Sequence, residues 1–193
     1  MNNYKINIID GINFAINNLY NKKIINEETI LIIPVLDYGL EDIIKINEKY
    51  QNKIILVLYE KYINIKDYPN IEMITIPNNM PASEIKYMAE DIKEEYENSY
   101  LFDLSNEKEF EMYFSKIISK DIVSKFDNIE KIYIPFTYKG IYEGIYKYFK
   151  IFNDDVKIAL VNIYSYDLKN IEYDELLDKE PEDNSSSSLF ITL

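Results

Sequence analysis

Short runs of apolar residues alternate along this chain with longer segments in which apolar positions recur every three or four residues. The short runs are rich in Ile, Leu and Val and predict strands, whereas the longer segments predict amphipathic helices. The predicted strands are 29–35, 53–59, 71–76, 100–102, 131–134 and 156–163. The predicted helices are 9–20, 40–50, 82–97, 107–126 and 140–149. This alternation predicts an α/β fold with a mostly parallel sheet and helices on both faces.

The pattern fades after residue 168, where acidic residues and four consecutive serines follow. We predict an α/β domain over 1–168, formed as one body or as two small lobes, then an acidic Ser-rich linker over 169–188 and an apolar tip over 189–193. The tip is a candidate interaction tail that adds a strand to a sheet edge or presents its carboxylate to a pocket, and a frayed terminus is the more ordinary interpretation. Its residues are Leu189, Phe190, Ile191, Thr192 and Leu193.

Composition narrows the possible chemistry. The net charge is -13 and every basic residue is Lys, which argues against a nucleic acid or an anionic membrane as partner. Without Cys or His there is no thiolate nucleophile, no Ser-His-Asp triad and no zinc site of the usual kind. The heavy use of Ile, Asn, Lys and Tyr is typical of an AT-rich genome.

Neither a membrane-spanning run nor a signal peptide is recognisable, so we expect a cytoplasmic protein.

Two stretches carry a resemblance to a known family. Residues 132–150 (IYIPFTYKGIYEGIYKYFK) lead into 156–161 (VKIALV), and residues 24–39 contain the predicted strand 29–35 with Pro34 near its end. Both stretches resemble the pyridoxal-phosphate family of cysteine synthase and cystathionine synthase, with Gly140 and Gly144 falling on two glycines of that family's phosphate loop and helix. The resemblance implies a reduced tryptophan synthase β-like fold (fold type II).

The departures from the family pattern bear on function. The Schiff-base lysine of the family aligns near Ile8, and the nearest lysine, Lys5, is three residues away. A Schiff base needs an amine at one place, and a phosphate loop needs small residues so that backbone N–H groups close around the phosphate. Here the loop is 137–141 (TYKGI), with bulky side chains. In the substrate loop Asp37 would repel a carboxylate. The family's N-terminal segment and its pyridine-nitrogen contact also fall outside the residues that align. We therefore expect no pyridoxal phosphate and no metal.

Open α/β sheets place their ligands at the carboxyl ends of the strands. A candidate crevice or pseudo-site there comprises Asp37, Tyr38, Gly39, Thr137, Tyr138, Lys139 and Gly140. The plainer interpretation is that these seven are ordinary loop residues without a binding role. Asp37 with Glu41 or Glu143 is a candidate carboxylate pair, for which chance adjacency is the plainer explanation. The aromatic series Tyr138, Tyr142, Tyr146 and Phe149 fits a binding stripe and core packing equally well.

The leading prediction is a catalytically inactive cysteine synthase-like protein that works as a protein-binding or regulatory module, through a protein partner or self-association. The alternative is a small-molecule-binding protein or enzyme that uses the remodelled crevice. A third reading, an acidic immunity or antitoxin-like protein, fits size and charge but rests on no motif.

Overall fold

The computed structural model describes residues 1–35, 40–62, 68–162, 168, 171–179, 181 and 185–192. The chain forms two compact units, each with its own parallel sheet flanked by helices. The first unit contains Met1–Ala15 and Leu104–Leu193, and the second contains Ile16–Asp103. Among the described residues, no helix is long and apolar enough to cross a membrane.

The first unit is built on a five-stranded sheet in the order β1-β9-β6-β7-β8, with every neighbouring pair parallel. Its strands are β1 (Asn2–Lys5), β6 (Lys131–Pro135), β7 (Lys157–Val161), β8 (Glu175–Leu177) and β9 (Ser188–Thr192). Its helices are α4 (Lys108–Tyr113), α5 (Ser119–Lys125) and α6 (Lys139–Phe152), and α1 (Ile8–Asn21) begins here. A π-helical segment, Phe114–Ile118, joins α4 to α5.

The second unit has a four-stranded parallel sheet in the order β4-β3-β2-β5. Its strands are β2 (Ile30–Pro34), β3 (Ile54–Tyr59), β4 (Ile71–Ile76) and β5 (Ser99–Leu101), and its helices are α2 (Leu40–Lys49) and α3 (Ala82–Glu95). All six residues of β3 are buried because this strand has neighbours on both sides and is apolar throughout. Ile85, Ala89 and Ile92 of α3 pack on the sheet at helical spacing and complete its core.

The end of the chain differs from the prediction. Residues 175–177 and 188–192 were assigned to a flexible linker and a free tip, but they form strands β8 and β9. Strand β9 lies between β1 and β6 and pairs with both, so Leu189 and Ile191 are buried. A five-residue apolar run at a chain end was mistaken for a tip because its two partner strands are more than 50 residues away in sequence. Leu193 lies outside the described residues.

Candidate functional site

The predicted crevice residues fall into two groups. Asp37, Tyr38 and Gly39 lie outside the described residues. The other four lie beyond the carboxyl end of β6, where Thr137 and Tyr138 follow Phe136, and Lys139 and Gly140 begin α6. The described part of the candidate site is therefore this N-terminal end of α6, within the first unit.

Tyr138 is the N-cap residue of α6, but its side chain makes no capping hydrogen bond to the helix. The side chain is directed into the protein, where only 3% of the residue is exposed. Its ring meets the ring of Phe110 edge to face, with 6.2 Å between the centroids. A tyrosine and a phenylalanine from α4 thus pack together at the end of the helix that a phosphate would approach.

Gly140 and Gly144 lie one turn apart on the side of α6 that faces α4 and the π-helical segment. A Cβ atom on Gly140 would lie 3.0 Å from Phe110 Cδ1 and 3.1 Å from the carbonyl oxygen of Leu104. A Cβ atom on Gly144 would lie only 2.5 Å from the carbonyl oxygen of Glu111 and 2.8 Å from Phe114 Cβ. Both glycines therefore permit a close approach of protein to protein, since the space above each is already filled.

The remaining polar groups at this end have different surroundings. The Lys139 ammonium pairs with Glu143, with 3.3 Å between Nζ and Oε1, and Glu143 also accepts from Lys147 at 3.2 Å. Glu143 is thus held by two lysines of its own helix, and Asp37, the other member of the candidate carboxylate pair, lies outside the described residues. Thr137 is 7% exposed, and its buried Oγ1 has no hydrogen-bond partner in the described structure. Among the described residues of the site, this hydroxyl is the buried side-chain polar group that has no hydrogen-bond partner.

The aromatic series on α6 is mostly core. Tyr138, Tyr142 and Phe149 are buried, and Tyr146 stacks on Tyr142 with 5.6 Å between the ring centroids. The Tyr142 hydroxyl donates to the carbonyl oxygen of Glu172 at 2.7 Å. Burial, together with the neighbouring Tyr146, raises the pKa of Tyr142 far above its usual value, so this side chain stays neutral. Of the two interpretations left open by the sequence, the burial favours packing.

The candidate interaction tail is also part of the fold. Leu189, Phe190, Ile191 and Thr192 each face a residue of β1 in the parallel pairing of β9 with that strand. The backbone of these residues is therefore engaged within the chain's own sheet, which corrects the interpretation of a free docking peptide.

Comparison with known proteins identifies the class of fold. No protein-family model and no curated protein matches the sequence. Among solved structures, the O-acetylserine-dependent cystathionine β-synthase of Helicobacter pylori matches with a TM-score of 0.73 at 15% identity, over 95% of this chain and 65% of that one. A hydrogen sulfide-producing enzyme of Fusobacterium nucleatum matches with a TM-score of 0.71 at 12% identity, over 95% of this chain and 67% of that one. O-ureido-L-serine synthase, as a mutant with bound O-ureido-L-serine, matches with a TM-score of 0.69 at 11% identity, over 95% of this chain and 62% of that one.

These likenesses confirm the predicted fold: the chain has a reduced tryptophan synthase β-like fold, similar to that of the pyridoxal-phosphate-dependent cysteine and cystathionine synthases. The chain spans about 65% of the length of the first of these enzymes.

The residues at the described end of this site do not fit pyridoxal phosphate. Ile8, near which the resemblance places the family's lysine, is buried and begins α1, whereas Lys5 lies exposed on β1. At α6 the places of small loop residues are taken by buried Tyr138 and by Lys139, and Gly140 is covered by Phe110.

One surface was missed by the sequence analysis. The predicted helix ended at Phe149, but α6 continues through Ile151 and Phe152, which are 74% and 70% exposed. The signal in the sequence was the apolar Ile151-Phe152 pair directly before the polar turn that begins at Asn153.

Proposed function

We propose that this chain is a non-catalytic protein of cysteine synthase-like fold that acts by binding another protein and carries no pyridoxal phosphate. The observation that supports the proposal best is the filled N-terminal end of α6. There Tyr138 packs on Phe110, and the space above Gly140 is occupied by Phe110 and by the Leu104 carbonyl group.

The charges at this end also support the proposal. A phosphate held at a helix N-terminus gains from free backbone donors and a nearby cation. Lys139 is the first residue of α6, and its ammonium group is already paired with Glu143. An incoming phosphate would have to compete with that carboxylate and displace the ring of Tyr138 from a position where it is 3% exposed.

The first test is a titration of the purified chain with pyridoxal phosphate, followed by visible absorbance and then by borohydride reduction and mass spectrometry. Because the chain has 21 lysines, slow random adducts are expected at high aldehyde concentration, and pyridoxal without its phosphate provides the matched control. We expect the two aldehydes to react alike and without saturation. Saturable reaction of the phosphorylated form at one lysine, such as Lys5 or Lys139, would overturn the proposal.

The second test concerns protein binding itself. The tagged chain is recovered from its native cell, with an unrelated protein of similar size and net charge as the control. We expect a partner, or a second copy of the chain, that the control does not retain. Recovery of neither would count against a protein-binding role.

The alternative function, binding of a small molecule, is favoured by one observation. The buried Thr137 hydroxyl lacks a partner and lies directly before α6, where an anion would supply an acceptor. Inorganic phosphate is the simplest probe. A rise in melting temperature with phosphate in the native chain, but not in Thr137→Val, would favour small-molecule binding over the leading proposal.

A further inference from the structure

Helix α3 turns one side to the sheet of the second unit and the other side to solvent. Ile85, Ala89 and Ile92 are buried against that sheet. Tyr87 lies on the opposite side of the helix, where it is 59% exposed, and Met88 beside it is 38% exposed. Single exposed hydrophobic residues are ordinary, but an aromatic ring that its helix directs away from the core offers a flat face to another molecule.

Carboxylates surround the exposed Tyr87 ring. Residues three and four positions apart are neighbours on the surface of a helix. The position three before Tyr87 is Glu84, and the positions three and four after it are Glu90 and Asp91. Glu94 follows one turn beyond Glu90. We refer to the Tyr87 ring and these four carboxylates as the α3 surface.

The charge of the α3 surface is not neutralised by other described residues. None of the four carboxylates accepts a hydrogen bond or pairs with a lysine in that part of the chain. Helix α3 carries five acidic residues and two lysines (ASEIKYMAEDIKEE). Of these lysines, Lys86 pairs with Asp103 at 3.2 Å, and Lys93 lies about a third of a turn around the helix from Tyr87. The α3 surface is therefore an acidic face around an aromatic ring.

This charge decides which partner fits. A second copy of the chain carries the same net charge of -13, so it would be repelled, whereas a basic segment of another protein would be attracted. Arginine suits the α3 surface better than lysine does. A planar guanidinium group stacks on an aromatic ring, and its N–H groups then point outward toward carboxylates at the ring's edge. The chain itself contains no arginine, which also favours a different protein as the partner.

We propose that the α3 surface binds an arginine-rich segment of a different protein, with one guanidinium group stacked on Tyr87 and its N–H groups donating to the neighbouring carboxylates. The inference rests on the proposed protein-binding function, and it names the surface and the chemistry of the partner. One exposed ring and a few solvated ion pairs make a small contact, so we expect a Kd between roughly micromolar and millimolar.

Fluorescence anisotropy of the full chain with a labelled octapeptide that repeats Arg-Arg-Leu-Gly tests the proposal. We expect saturable binding that is weakened roughly tenfold in Tyr87→Ser and retained in Tyr87→Phe, which keeps the ring. The same peptide with Lys in place of Arg should bind the native chain more weakly. Tyr173→Ser is the matched control and should bind like the native chain. Tyr173 is 41% exposed in the first unit, and the carboxylate of the adjacent Asp174 is already paired with Lys150.

A second pair of variants separates the α3 surface from the net charge. Glu90→Gln combined with Asp91→Asn removes two charges beside Tyr87. Glu27→Gln combined with Glu28→Gln removes the same charge from exposed residues elsewhere in the second unit. We expect the first combination to weaken binding roughly threefold to tenfold and the second to have a much smaller effect. Added salt should weaken binding, because it screens the attraction between exposed charges.

Three results would overturn the α3 surface: no saturable binding of the arginine peptide, equal binding by Tyr87→Ser and the native chain, or equal losses in the two charge variants. Equal losses would mean that the peptide follows net charge alone. Failure of the proposed function is a different result, because it is the recovery of no partner from the native cell. A cellular partner that the native chain and Tyr87→Ser retain equally would leave the protein-binding function standing and refute the α3 surface.

Discussion

Substitution of Gly144 by alanine should destabilise the first unit, even though alanine is the better helix former. In an exposed helix interior the change from Gly to Ala gains about 1 kcal/mol. At Gly144 the added Cβ would lie 2.5 Å from the Glu111 carbonyl oxygen, 2.8 Å from Phe114 Cβ and 3.1 Å from the backbone nitrogen of Ser115. All three atoms belong to the backbone or are bonded directly to it, so none can move away by a change of rotamer.

Relief of this overlap requires α6 to move away from α4 and the π-helical segment by several tenths of an ångström. Overpacking of this kind costs about 1–3 kcal/mol, and the rigid neighbours place Gly144→Ala in the upper part of that range. After the helix-propensity gain is subtracted, we expect a net loss of about 1–2 kcal/mol. For a chain of this size that corresponds to a fall in melting temperature of roughly 2–8 °C.

Thermal unfolding followed by far-UV circular dichroism measures this effect, and Gly140→Ala is the matched control on the same helix. The nearest atom to a Cβ on Gly140 is the ring carbon Phe110 Cδ1 at 3.0 Å, which can shift, so its loss should be smaller. If the two units unfold in separate transitions, only the transition of the first unit should move. An unchanged or higher melting temperature for Gly144→Ala would refute the close packing of these helices.

Three further results are expected. Thr137→Val removes a buried hydroxyl that has no partner, which should raise the free energy of unfolding by about 1 kcal/mol. We expect a melting temperature higher by roughly 2–4 °C, and a lower one would contradict this. The fully buried Asn52 side chain donates to the carbonyl oxygens of Asn26 and Thr29 at 2.8 Å each. Asn52→Ala should therefore lower the free energy of unfolding, measured in urea, by about 2–3 kcal/mol. A loss below about 1 kcal/mol would show that water replaces the side chain. Burial raises the pKa of Tyr50 to about 12, above the usual value of about 10. Because the folded state keeps this proton to a higher pH than the unfolded state does, stability is lost as pH rises from about 10 to 12. Tyr50→Phe should make that alkaline loss shallower in pH-dependent melting, and an identical slope would assign the loss to other groups.

The strands that the sequence predicted well are those whose own residues decide their position. Strand β3 is an apolar run between Lys53 and Glu60, and β4 (IEMITI) has four apolar residues out of six; both were located within one residue. Strand β1, Asn2–Lys5, was missed because Tyr4 is its single buried residue and its pairing with β9 is what makes it a strand. No local pattern in four mostly polar residues reveals a partner more than 180 positions away in the chain.

The helix from 107 to 126 shows a second limit. The periodicity predicted one continuous helix there, and the structure contains α4, the π-helical segment and α5 without a break. The π-helical turn places the Phe114 carbonyl oxygen within 2.8 Å of the Ser119 hydroxyl, which donates to it. Hydrophobic period does not report this local change in winding.

At the candidate site the sequence singled out Gly140 and Gly144 but did not reveal what packs against them. Gly140 and Gly144 were recognised by their match to glycines that let a backbone approach a phosphate. In the structure the same absence of side chains lets α6 approach protein atoms instead, closely enough at Gly144 that a single Cβ would overlap a carbonyl oxygen. A glycine indicates that something comes close, and only the neighbouring residues say what it is. Here the neighbours are Phe110, Phe114 and the backbone of α4, which are held in place by the fold itself. This is why the two positions that carried the resemblance to a cofactor-binding enzyme now support a non-catalytic proposal.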